Sequence, residues 1–166
     1  LGIANRLYDV LGDNVEFLCI PCVPSYPNGK FWIESKEDLL DNGGKLRFLP
    51  TLNVKILKSK LWGIQSKRYI KEWAKRHKRE ERKVLIYNTY HPSVKDIYKA
   101  CKETNSELYA ILYDLGVPPK RLKLSWLTML GYRLAEKQAF KYIPQLTGRI
   151  VINENIVRDY APKKDF

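Results

Sequence analysis

The stretch KVLIYNTYHPSVKDIYKACKETNSELYAILY, residues 83–113, alternates between two hydrophobic periods. It opens on Lys83-Val-Leu-Ile-Tyr87, a short and mostly apolar run that fits a buried parallel strand. Pro92 suits the first turn of a helix, and Val94, Ile97, Tyr98 and Cys101 then give an i, i+3, i+4, i+7 stripe. Glu107 to Tyr113 reads as a second strand. Strand, helix and strand in that order make a βαβ unit, because a parallel neighbour requires a crossover.

The alternation continues on both sides. Upstream, Ile3, Leu7, Val10 and Leu11 share a helical face with Gly12 as the C-terminal cap, and Val15 to Ile20 reads as a strand. Pro21 to Gly44 is polar and contains Pro, Asn and Gly; a connection of that length is expected to be a functional loop. Lys45 to Leu49 is a short strand stopped by Pro50. A helix is expected over Lys58 to Arg79, with Trp62, Tyr69, Ile70, Trp73, Ala74 and His77 on one face. Downstream, Ser125 caps a helix carrying Leu127, Leu130 and Leu134 that ends near Pro144. Gly148 to Ile152 is a last strand, with a short helix behind Asn153 or Asn155. The expected fold is α/β: one Rossmann-like, doubly wound domain over residues 1–166, mostly parallel, with helices on both faces. The first helix has no strand before it, so the sheet is expected to lack its first strand.

Composition narrows the function. Hydrophobic residues at 45% and charged residues at 29% describe a globular chain, and no apolar run approaches a bilayer span of roughly 20 residues. A cytoplasmic protein is the expectation. The net charge of +12 points to a polyanionic surface as partner, nucleic acid or an anionic membrane leaflet, or simply to a solvated basic face. Eleven Lys and Arg residues lie between Lys58 and Lys83 with Trp62, Tyr69 and Trp73 among them, a pattern shared by membrane-surface helices and by helices docked on a sheet. Cys19 and Cys22 imitate a redox C-x-x-C, but Pro24 and Pro27 prevent a helix from starting behind them. Both are read as buried strand-end thiols. His77 and His91 have no partners at zinc-ligand spacing, so no metal site is expected.

In an open parallel sheet, ligands bind beyond the carboxyl ends of the strands. Asn88, Thr89, Tyr90 and His91 follow one expected strand, Tyr113 and Asp114 another, and Asn153, Glu154 and Asn155 a third. Asn88, Thr89 and Asn155 read equally as helix caps, His91 as a turn residue and Glu154 as helix-terminus electrostatics. Asp114 caps no helix nearby and is the firmest functional candidate.

At these strand ends the chain resembles the N-terminal domain of GT-B glycosyltransferases, of the family 4 (glycosyl transferases group 1) kind. The likeness is carried by Ile20-Pro-Cys-Val-Pro-Ser-Tyr-Pro-Asn28, Leu49-Pro-Thr-Leu-Asn-Val-Lys-Ile-Leu-Lys58, Ile86-Tyr-Asn-Thr-Tyr-His-Pro92 and Ile111-Leu-Tyr-Asp-Leu-Gly-Val-Pro118. Leu134-Ala-Glu-Lys-Gln-Ala-Phe140 and Val151-Ile-Asn-Glu-Asn-Ile156 complete it. The resemblance implies the acceptor half of a hexosyltransferase of polysaccharide biosynthesis. Its donor, a nucleotide-sugar co-substrate, is held mainly by a separate C-terminal domain, without which this half is inactive. Asp114 is the implied catalytic residue, with Tyr113 where His is common. Asn88, Tyr90, His91 and Tyr113 would bind the acceptor, while Asn153 and Glu154 would face the interdomain cleft. The family needs no metal and no further cofactor. A lipid-linked acceptor would place the enzyme peripherally at the inner face of the membrane. The competing expectation is a non-enzymatic basic α/β module binding nucleic acid or another polyanion.

Overall fold

The computed structural model describes residues 2–19, 23–55, 57–87, 93–112 and 126–151, with Leu127 as backbone only. The fold is mixed α/β with parallel strands, and the chain divides into two compact units, Leu1–Gln65 and Ser66–Phe166.

The second unit is built on β6 (Lys83–Tyr87), β7 (Glu107–Leu112) and β8 (Gly148–Val151), adjacent in that order and all parallel. Helix α3 (Val94–Thr104) joins β6 to β7, and the segment from β7 to β8 contains α4 (Trp126–Tyr142). Each step moves one strand in the same direction, so both helices lie on one face of the sheet. Ile86, Leu108, Ala110 and Leu112 pack there against Val94, Ile97, Ala100 and Cys101 of α3, and against Ala139, Tyr142 and Ile143 at the end of α4. Ile70, from α2 (Leu57–Arg76), joins this core.

The stripe expected on α3 is therefore its packed face. Asn105 ends the helix in the left-handed conformation at φ 51, returning its N–H to the last turn. Arg82 holds the same end from outside, donating from Nε to the His77 carbonyl at 2.9 Å and from Nη1 to the Thr104 carbonyl at 2.9 Å. A cation there also complements the negative end of the helix dipole.

Two expectations change in this unit. Lys83–Tyr87 is a parallel strand but not a buried one: Leu85 and Tyr87 are 40% and 52% exposed. Among the described residues it stands at the edge of the sheet, and the helix layer covers only the alternate residues on one face. Leu130 and Leu134 of α4 also prove exposed, because only the C-terminal third of that helix reaches the core.

In the first unit, α1 (Gly2–Leu11) ends at Gly12, which has φ +56 as expected of a cap. β1 (Phe17–Cys19) pairs in parallel with β4 (Lys45–Phe48). The long connection between them is not a plain loop. It contains β2 (Trp32–Ile33), antiparallel to β5 (Thr51–Leu52), and β3 (Lys36–Leu39), antiparallel to β4. Asn42-Gly43 turns the β3–β4 hairpin, with Gly43 at φ +88, where an L side chain would be strained. The Asn42 amide fastens that turn to α1 by donating to the Asn5 carbonyl at 2.8 Å and to Asp9 at 2.7 Å. Cys19 closes β1 as expected but is half-buried, since β1 is an edge strand; Cys22 lies outside the described residues.

Leu112 is 0% exposed at the centre of the second unit's core, so Leu112→Ala should destabilise that unit by about 3 kcal/mol. Urea denaturation followed by hydrogen exchange of β7 amides would measure the loss.

Candidate functional site

Parallel pairing of β6, β7 and β8 brings their carboxyl ends to one edge. Tyr87 stands opposite Ile111, and Leu112 stands opposite Val151. The candidates follow these ends directly in sequence: Asn88, Tyr90 and His91 after β6, Tyr113 and Asp114 after β7, Asn153 and Glu154 after β8. All seven lie outside the described residues, as do Thr89 and Asn155. What the structure contributes is the alignment of the three strand ends that precede them.

A second carboxyl edge is described in detail in the first unit, beyond β1 and β4. The segment after Val23 is tied there to the segment 49–54. The Tyr26 amide donates to the Asn53 carbonyl at 2.8 Å, and the Asn53 amide donates to the Phe31 carbonyl at 2.7 Å. Fully buried, Asn53 also turns its side-chain nitrogen to the carbonyls of Pro24 at 2.7 Å and Lys30 at 2.8 Å. Its side-chain oxygen accepts from the Lys58 ammonium at 3.4 Å, which donates to the Val23 carbonyl at 3.0 Å and lies 5.4 Å from the Trp62 ring centre. Gly29 fits against this hub because it has no side chain; a Cβ would collide with the Pro24 carbonyl oxygen.

The outcome is a tightly bonded loop that holds aromatic rings outward. Tyr26 and Phe31 meet edge to face at 5.5 Å and are 53% and 54% exposed. Rings held at fixed angles present flat apolar area with little conformational entropy to lose on binding. The length of the connection marked this region in the sequence. Asn53 and Lys58, which organise it, have no signature in the sequence, because a buried amide hub has no periodic pattern; only the family likeness marks Leu49–Lys58.

The basic helix is a third feature, and much of its charge is engaged. In the second unit, Lys67 and Lys71 both bind the carboxylate of Glu103 on α3, the latter at 2.5 Å, and Lys75 pairs with Glu72 at 2.9 Å. Hydrogen bonds from Lys67 and then Lys71 hold the Glu103 carboxyl down to about 2, below its ordinary 4.5. Lysine hydrogen bonding likewise lowers Glu72, through Lys75. Trp62, Ile70 and Ala74 are buried as the sequence predicts, while Tyr69, Trp73 and His77 are half-buried. His77 is structural: its Nδ1 lies 2.9 Å from the Trp73 carbonyl and its ring packs on that indole. Burial pushes the Cys101 thiol up to about 12, which removes it as a nucleophile.

Among the described residues, no group of three or more His, Cys, Asp or Glu could hold a metal ion, and no helix is long and apolar enough to cross a membrane. The chain matches no family model, no curated protein and no solved structure.

Two outcomes are expected. Asn53→Ala strips two backbone carbonyls of their partner and should cost roughly 2 kcal/mol or more, with the Tyr26 and Phe31 ring resonances losing their dispersion in NMR spectra. The Glu103 carboxyl should titrate near pH 2, and Lys67→Ala should raise that midpoint. Since its folded value lies below 4.5, any stability from these pairs is fully present above pH 4.5 and is lost as the pH falls towards 2.

Proposed function

We propose that the chain is the acceptor-binding half of a glycosyltransferase that moves a sugar from a nucleotide-sugar to a glycan or lipid-linked acceptor. The observation that carries this reading is the common edge of β6, β7 and β8, whose ends run directly into Asn88–His91, Tyr113–Asp114 and Asn153–Glu154. A sugar acceptor needs several hydrogen-bonding groups and an aromatic platform, and Asn88, Tyr90, His91 and Tyr113 are of the right kinds. Asp114 is the group proposed to take the proton from the acceptor hydroxyl as that oxygen bonds to the anomeric carbon and the donor's sugar–phosphate bond breaks, releasing the nucleotide. Asn153 and Glu154 are assigned to the cleft facing a C-terminal donor domain, which would hold the nucleotide-sugar. In this reading the finer fold is the Rossmann-like N-terminal domain of the GT-B class, in which β6–β8 with their one-sided helix layer would be one winding half rather than the doubly wound whole expected from the sequence. No metal or additional cofactor enters the scheme. Considered by itself, the first unit presents an aromatic surface of its own, Tyr26 and Phe31, at a carboxyl edge, the position at which α/β sheets bind ligands.

A second reading, a basic module for nucleic acid, has one observation in its favour. The second unit holds 22 Lys and Arg against 11 Asp and Glu, whereas the first holds 8 against 7. The ion pairs of Lys67, Lys71 and Lys75 along α2 weigh against a surface kept clear for phosphates.

Turnover of a nucleotide-sugar by the enzyme containing this chain should fall about a hundredfold or more in Asp114→Ala, with folding unchanged. Equal turnover in the mutant would remove Asp114 from the mechanism. Absence of turnover, together with binding to RNA or DNA that weakens steeply with salt, would favour the second reading.

A further inference from the structure

Helix α4 touches the core through one side only. Ala139 and Tyr142 are 0% and 9% exposed and join the helix layer. At 100° per residue, the opposite side of α4 carries Trp126, Leu130 and Leu134, with Arg133, Lys137 and Lys141 among and beyond them. The three apolar residues recur every four positions and are 73%, 41% and 50% exposed. The three cations are exposed as well. Glu136, the helix's only acid, is half-buried on its flank. This outward side is thus apolar in its first half and cationic in its second.

We propose that the outward side of α4 seats the protein on an anionic lipid surface. Trp126, Leu130 and Leu134 enter the boundary between headgroups and acyl chains, and Arg133, Lys137 and Lys141 meet lipid phosphates. Both halves of the pattern have a use in that setting. A helix lying in the membrane plane gains from apolar burial on one side and from attraction of its cations to an anionic leaflet. A second copy of the chain fits the side less well, because a two-fold contact would set its three cations against the same three if the helices ran parallel and against the apolar half if they ran antiparallel. Nucleic acid would leave the tryptophan and leucines without a role. The second unit's excess of 22 basic residues over 11 acidic ones supports attraction to the same surface. The proposal concerns adsorption alone and stands independently of the glycosyltransferase reading.

Flotation of the full chain with vesicles tests it. Wild type should float with mixed phosphatidylglycerol and phosphatidylethanolamine vesicles, and much less with phosphatidylcholine alone. A Trp126→Ser, Leu130→Ser double variant should partition about tenfold more weakly, and Lys137→Glu with Lys141→Glu tenfold or more. All four positions are exposed, and an unchanged far-ultraviolet circular dichroism spectrum would confirm folding. No flotation of wild type, or equal flotation of wild type and both variants, overturns the proposal. So does self-association that Leu130→Ser abolishes in a chain that never floats.

Discussion

The second unit depends on β7. Leu108, Ala110, Ile111 and Leu112 are all buried, and the strand is hydrogen-bonded on both sides. A strand in that position cannot leave a backbone group unpaired or admit a polar side chain into its packed face without a large cost. Its neighbours must therefore be strands, and because they run parallel to it, the chain has to cross back between them. From this constraint follow the two crossovers, the shared helix layer and the common edge at which the candidate residues begin.

Much of this was legible in the sequence. The apolar run at Lys83–Tyr87 and the stripe at Val94, Ile97 and Cys101 carry different periods, and period separates strand from helix before any packing is known. The edge position of β6 was not legible, since an apolar run of five looks the same whether one face is covered or two. Leu130 and Leu134 have the spacing of a core stripe, yet spacing reports only that residues share a side of a helix. Which side meets the core is decided by where the helix ends against the sheet, at Ala139 and Tyr142. The β3–β4 hairpin is a different kind of miss. Asn42-Gly43 is a recognised turn signal, but the polar strand Lys36-Glu-Asp-Leu39 around it has little of the alternation that flags a strand.

The candidate site divides in the same way. The alignment of the strand ends that precede the polar candidates could be read directly, because parallel pairing brings those ends to one edge. The Asn53 hub could not, because its contacts join residues far apart in sequence through carbonyl groups that every residue possesses. Lys58 illustrates the point. In the sequence it is one of eleven basic residues in a run, whereas in the structure its ammonium braces the loop behind Val23. Charge composition alone assigns all such residues to the solvent or to a polyanion.

The uniform direction of winding in the second unit has a kinetic consequence. Each strand from β6 to β8 pairs with its nearest neighbour in chain order, and α3 sits between strands that it joins. Paired positions lie 24 residues apart between β6 and β7 and 39 apart between β7 and β8, so contacts accumulate along the chain rather than waiting for its ends to meet. Such a unit can begin to assemble while it is still emerging from the ribosome, from β6 onwards, with each new element finding its template already in place.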